Sequence, residues 1–241
     1  MTARRLLGVV VGLASVLCFP LPAGAQETAR AAGAQATTRG FAPATLPRTI
    51  PIFPLPDVML FPGATRPLHI FEARYREMIA DALEGDRLIG MVMLQPGYEA
   101  DYEGRPPVHP VGCVGVIAEA TELPDGRYNI LLGGLTKFRI LREDDSRAYR
   151  LADIEPISDA ISTADRNRLR DVREDLAALI PLGIPGLQVP DGLDDEDLVN
   201  GISQLIDIAP ADRLGLLEQP GPLARAEALI DLIYIRSALR Q

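Results

Sequence analysis

Five prolines fall between positions 51 and 67, at Pro51, Pro54, Pro56, Pro62 and Pro67, and they constrain the fold more than any other feature of the chain. Each removes a backbone donor, fixes its own φ and pushes the preceding residue toward extended geometry. No long helix passes through this stretch, and short strands joined by tight turns remain. After Ile70 the pattern changes. Phe71, Tyr75, Met78, Ile79 and Ala82 recur at helical spacing, with Glu72, Arg74, Arg76 and Glu77 on the opposite side. The expectation is a strand-rich entry clamped by one amphipathic helix.

The 241 residues are 47% hydrophobic, enough for well-filled cores in one large or two small domains. The first 25 stand apart. Arg4 and Arg5 precede an apolar run from Leu6 to Phe19, and Ala23-Gly24-Ala25 follows. That pattern reads as a secretory signal peptide over residues 1–25, too short for a membrane span and cleaved before Gln26. An uncleaved anchor and a lipoprotein built on Cys18 are the weaker readings, the latter because Leu17 is too bulky for that processing. Cleavage takes two arginines and no acid from 24 basic and 33 acidic residues, leaving a net charge near −11. Such a chain lacks the basic stripe that nucleic acids and anionic membranes require, so neither is an expected partner. Only Cys113 remains after cleavage; its setting in VGCVGVIA reads as a buried, inert thiol with no disulfide partner.

Residues 26–46 are small and polar and read as a flexible leader. From there to about residue 157 the chain is strand-rich. Strands are expected at Ile50–Phe53, Val58–Phe61, Pro67–Ile70, Leu88–Leu94, Val111–Glu122, Tyr128–Leu132, Thr136–Leu141 and Tyr149–Ile154. Gly133-Gly134 is read as a second reversal after the Pro124-Asp125-Gly126 turn, and alternation places Phe138 and Ile140 inward with Lys137 and Arg139 toward water. Residues 95–110 form the longest irregular connection. Beyond Ser158 the period is helical: a Ser162-capped helix ending near Pro181 and Gly183, then three more carrying Leu198 and Ile202, residues 211–218, and Leu223 to the C-terminus. The fold class is α+β, a β domain over 47–157 followed by a small helical bundle over 158–241.

Two stretches, IPIFPLPDVMLFPGATRPLHIFEARYREMI and VGCVGVIAEATELPDGRYNILLGGLTKFRI, with a looser third, DIAPADRLGLLEQPGPLARAEALIDLI, resemble the amino-terminal substrate-recognition region of the Lon protease family. The likeness is to its free-standing form. It implies a PUA-like β pseudo-barrel followed by a helical bundle, and recognition of unfolded or extended polypeptide segments. The sequence carries no G-x-x-x-x-G-K-[ST] stretch to cradle nucleotide phosphates. A Lon-type Ser–Lys dyad needs a desolvated lysine amine to take the serine proton, and Lys137, the sole lysine, is assigned to the solvent face. The expectation is a non-enzymatic, exported binding module without cofactor, periplasmic or secreted, with a protease or other envelope protein as a possible partner.

His69, Phe71, Glu72, Arg74 and Tyr75 are read as a fold-defining joint between strand and helix, in preference to an acid–base pair of His69 and Glu72. A metal site from His69, His109 and Cys113 has no standard ligand spacing. The acids at Asp191, Asp194, Asp195, Glu196 and Asp197 do not fit a calcium loop and suit a helix start. Tyr98 and Tyr102, aromatics on a Pro/Gly-rich loop, are the candidate polypeptide contacts. A hydrolase and a small-molecule or lipid-binding barrel are the competing functions.

Overall fold

The computed structural model describes residues 46–98, 104–190 and 192–239. The stretches read as a signal peptide and, up to residue 45, as a leader, together with Tyr102 and Asp191, lie outside them. Six strands and five helices follow in order: β1 (Thr49–Leu55), β2 (Thr65–Ile70), α1 (Ala73–Glu84), β3 (Leu88–Leu94), β4 (Val108–Glu122), β5 (Tyr128–Asp144), β6 (Arg150–Ile157), α2 (Thr163–Gly183), α3 (Asp195–Leu205), α4 (Pro210–Glu218) and α5 (Pro222–Leu239). Among the described residues no helix is long and apolar enough to cross a membrane.

The sheet order is β2-β5-β4-β3-β1-β6, and β5 also pairs with β6, so five strands close into a ring with β2 appended. Among the described residues only the β1–β3 pairing is parallel. Closure depends on the length of β5, which pairs with β2 through Tyr128–Gly133 and with β6 through Lys137–Asp144. The inward faces of the ring strands meet in one cluster: Ile50, Ile52, Leu88, Val92, Val114, Val116, Phe138, Ala152 and Ile154. A Cβ at Gly90 or Gly112 would stand within 2.9 Å of the Phe138 ring, so those two glycines make room for it. The barrel is filled by its own side chains.

The outward faces are covered as well. Tyr75, Met78, Ile79 and Ala82 of α1 are buried, and Tyr75 meets Phe53 edge-on with ring centroids 4.5 Å apart. Leu169, Leu176, Leu198, Ile202, Leu217 and Leu229 from α2–α5 join Met91, Cys113 and Leu132 from the sheet in a second, larger core. The outer face of the barrel and the bundle thus share this second core. Ser162 caps α2 as expected, its Oγ accepting from the Asp165 amide at 3.1 Å. The acids that open α3 are matched by arginines of α2, Asp195 by Arg173 at 2.6 Å and Glu196 by Arg166 at 2.8 Å, so dipole and ion pairs account for them.

Three expectations are corrected. Gly133-Gly134 does not reverse the chain; β5 runs straight through, with a bulge where Gly134 and Thr136 face Gly115 and Val114. Val58–Phe61 is not a strand but an irregular apolar segment whose Met59, Leu60 and Phe61 are fully buried. It docks on β5 at Gly134, and a Cβ there would lie 2.0 Å from the Phe61 carbonyl oxygen. Gly134 serves close approach, not turning. The third is Lys137, only 1% exposed. The face opposite Phe138 is roofed by the bundle.

Ring closure carries its own clasp. Asp153 of β6 accepts from the Thr49 hydroxyl on β1 at 2.6 Å and from Arg142 on β5 at 3.1 Å. These bonds, the Thr49 one foremost, hold its carboxyl below the ordinary aspartate value of 3.8. A carboxylate whose folded value is depressed stabilises the fold above its unfolded value, and that contribution disappears as pH falls through the folded one. The melting temperature is therefore expected to drop as pH is lowered below 3.8, and Asp153→Asn should flatten that part of the profile. Melting curves from pH 6 to pH 2 check it.

Candidate polypeptide-binding surface

Phe61-Pro62-Gly63-Ala64 makes a tight turn closed by the Ala64 amide on the Phe61 carbonyl at 3.1 Å. Gly63 takes φ +73 at its third position, the left-handed geometry a Pro-Gly turn requires. Gly63 N–H then bonds Gly134 O at 3.0 Å, and Gly134 N–H bonds Ala64 O at 2.8 Å, a glycine bulge that sets the phase of β2. Because main-chain groups alternate along a strand, Arg66, Leu68 and Ile70 turn toward β5 while Thr65, Pro67 and His69 turn outward. The Thr65 carbonyl verifies the phase by accepting from Gln204 Nε2 of α3 at 2.8 Å. Pro67 lies where no donor is needed, the position proline tolerates on an edge strand.

Among the described residues β2 pairs with β5 alone. Its first residue is covered by Gln204, whose Oε1 also accepts from the Phe61 amide at 3.0 Å. Its last part is open: Pro67, His69 and Phe71 are exposed, Phe71 at 51%. Phe71 thus does not sit on the buried stripe of α1. The helix starts only at Ala73, and the Phe71 ring stacks on His69 with centroids 6.3 Å apart.

His69 is the penultimate residue of β2, and its side-chain bonds run across the sheet. Its Nδ1 lies 2.7 Å from Asn129 Oδ1 on β5 and its Nε2 3.1 Å from Arg127 Nη1, the side-chain contact of a directly opposed cross-strand pair. Glu72 occupies the position before α1 and makes no capping bond; its carboxylate accepts from Arg74 at 3.0 Å. Arg74 also stacks over the Tyr75 ring at 4.6 Å. The structure does not assemble His69 and Glu72 into an acid–base pair. Tyr98, at 42%, is exposed on the long loop. The return limb of that loop is pinned to the β5–β6 hairpin by Arg150 on Pro106 O at 2.6 Å and Arg105 on Arg147 O at 2.8 Å.

Cys113 is fully buried, and that burial pushes its thiol up to about 12, which leaves no thiolate for chemistry. Lys137, its cross-strand neighbour, donates to Gln219 O at 2.6 Å and forms an ion pair with Asp159 Oδ1 at 2.5 Å. The other Asp159 oxygen accepts from Arg225 at 2.9 Å, and Arg225 donates further to Asn200 and to Leu216 O. This network ties β5 to α3, α4 and α5. Gln204 was not among the residues singled out from sequence, and Pro67 was read there as a helix breaker and strand start, although a proline inside a strand run also marks an edge.

The family model described as the ATP-dependent protease La (LON) substrate-binding domain matches residues 49–234. A Lon protease of Trichlorobacter lovleyi is 31% identical over 143 residues, covering 57% of this chain and 17% of that protein. One from Flavobacterium johnsoniae is 26% identical over 205 residues, covering 81% and 25%. The matched region thus spans a quarter or less of these curated relatives. In fold, the chain is similar to a Lon N-terminal domain protein from Xanthomonas campestris, with a TM-score of 0.53, 24% identity, and 76% and 97% of the two chains covered. The N-terminal domain of Mycobacterium avium complex Lon protease gives a TM-score of 0.59 at 14% identity, covering 77% and 98%. The expected pseudo-barrel with its helical bundle is therefore the observed fold, the matched domain is the non-catalytic, substrate-binding one, and the chain belongs to the LON substrate-binding domain family.

Proposed function

We propose that this chain is an exported polypeptide-recognition module that captures unfolded or extended segments and performs no chemistry on them. The observation that carries the reading is the family match over residues 49–234. The open end of β2 supports it, since a sheet edge recognises main chain and tolerates many sequences. The filled barrel argues against a small-molecule or lipid carrier, because Phe138 and its neighbours occupy the axis. The engagement of Lys137 with Asp159 and Gln219 supports a structural tie over half of a dyad. The net negative charge argues against nucleic acid as a partner. Export rests on the N-terminal pattern of Arg4, Arg5 and the apolar run to Phe19, and a protease or envelope protein would receive the captured chain.

The purified chain is expected to suppress aggregation of reduced, carboxymethylated α-lactalbumin without nucleotide, while folded α-lactalbumin has no affinity for it. Light scattering and fluorescence anisotropy read this out; failure to bind any unfolded client would remove the proposal. N-terminal sequencing of the protein from its native host tests export: a start at Gln26 supports it, and an intact Met1 in the cytosolic fraction opposes it.

A further inference from the structure

The phase of β2 determines more than which residues are exposed. With Arg66, Leu68 and Ile70 committed to β5, the outward main-chain groups are those of Thr65, Pro67 and His69. Gln204 takes the Thr65 carbonyl, and Pro67 has no N–H. Beyond the Thr65 end, that leaves the Pro67 carbonyl and both main-chain groups of His69 facing out from an exposed edge, beside the stacked rings of His69 and Phe71. An unpaired carbonyl–amide–carbonyl row at strand spacing is complementary to one chemistry, another extended backbone. The covered start and the open end also set the extent: α3 blocks the edge at Thr65, so an incoming strand pairs only along Pro67 to Phe71.

Resting on the recognition reading above, we propose that the outer edge of β2 from Pro67 to Phe71 accepts an extended segment of an unfolded polypeptide as an added strand. The incoming segment exchanges main-chain bonds with His69 and gives one to the Pro67 carbonyl. Its alternate apolar side chains lie against the ring pair of His69 and Phe71, which selects segments of alternating apolar and polar residues over uniformly charged ones. Pro67 removes one donor from the edge, so pairing stays short and reversible and two copies of the edge make a poor ladder.

The test uses the full chain and a fluorescein-labelled, permanently unfolded peptide alternating Val and Thr. His69→Pro deletes the outward amide without touching the β5 ladder, and His69→Ala keeps the amide while deleting the ring. The proline variant should bind about tenfold more weakly or worse, and the alanine variant within about threefold of the parent. If His69→Pro does not fold, the parent protein decides. In amide exchange of the free chain, Leu68 and Ile70 should be slow and His69 fast, and adding the peptide should slow His69. Peptide bound tightly by the parent with no change at His69 overturns strand addition while leaving polypeptide recognition standing. A parent that binds no peptide overturns both. His69 protection that appears without peptide and grows with protein concentration would assign the edge to a second copy, and protection lost on removing residues 26–45 would assign it to the leader; either result overturns the proposal.

Discussion

Asp159→Ala is expected to lower the stability of the chain by about 3 kcal/mol, a fall in Tm of roughly 6–12 °C for a domain of this size. The carboxylate stands between two cations buried to 1% exposure or less, Lys137 and Arg225, at 2.5 and 2.9 Å. Removing it strands both in apolar surroundings, where a charge without its partner is costly. The value sits at the low end for a broken buried pair because each cation keeps a carbonyl, Gln219 O for Lys137 and Leu216 O for Arg225. Lys137→Met should cost less, about 1–2 kcal/mol, since Asp159 still holds Arg225 through Oδ2 and what is lost is the Lys137 partner of the Gln219 carbonyl and of Asp159 Oδ1. Urea denaturation of both variants checks the order. A loss below about 0.5 kcal/mol for Asp159→Ala would mean that the network does not bind bundle to barrel.

The second large effect comes from one methyl group. Gly134→Ala places a Cβ 2.0 Å from the Phe61 carbonyl oxygen and 2.8 Å from its carbon, a backbone obstacle that no rotamer change relieves. The segment carrying Met59, Leu60 and Phe61 must lift off β5, weakening the two main-chain bonds between Gly134 and the Gly63–Ala64 turn. We expect a loss of about 3 kcal/mol or more, beyond the usual range for overpacking because backbone and not side chain must move. Gly215→Ala is the matched control. That glycine lies within α4, and a Cβ added there would meet nothing within 4 Å, so the same substitution should stabilise by about 0.5–1 kcal/mol through helix propensity. Thermal melts that give both variants the same sign would contradict the packing described for Gly134.

What was legible in the sequence was what local chemistry determines. Leu88–Leu94 reads as a strand because a short, continuous apolar run bounded by turn signals fits one buried on both faces; the Ser162 cap and the acids opening α3 fix helix starts within one turn. The errors share another cause: each concerns a surface created by a distant part of the chain. Lys137 alternates with Phe138 as a strand predicts, but the face it points to is solvent only until Asp159, Gln219 and Arg225 arrive from the bundle. Gly133-Gly134 carries a turn signal identical to the signal for close backbone approach, and only the docking of Phe61 distinguishes them. Phe71 fits the helical period, yet the helix begins two residues later and leaves it outside. The candidate site was half visible. His69 and Phe71 were singled out as parts of a strand–helix joint, while the open edge depends on sheet order, which periodicity does not encode.

The central claim is capture of polypeptide without its alteration, and one measurement reaches it directly. Reduced, carboxymethylated α-lactalbumin is incubated with the full chain in the absence of nucleotide; complex formation is followed by size-exclusion chromatography and the client's mass by intact mass spectrometry. The account predicts a client that co-elutes with the chain and keeps its full mass through prolonged incubation. A client that is cut, or one that never co-elutes at any concentration, would contradict it.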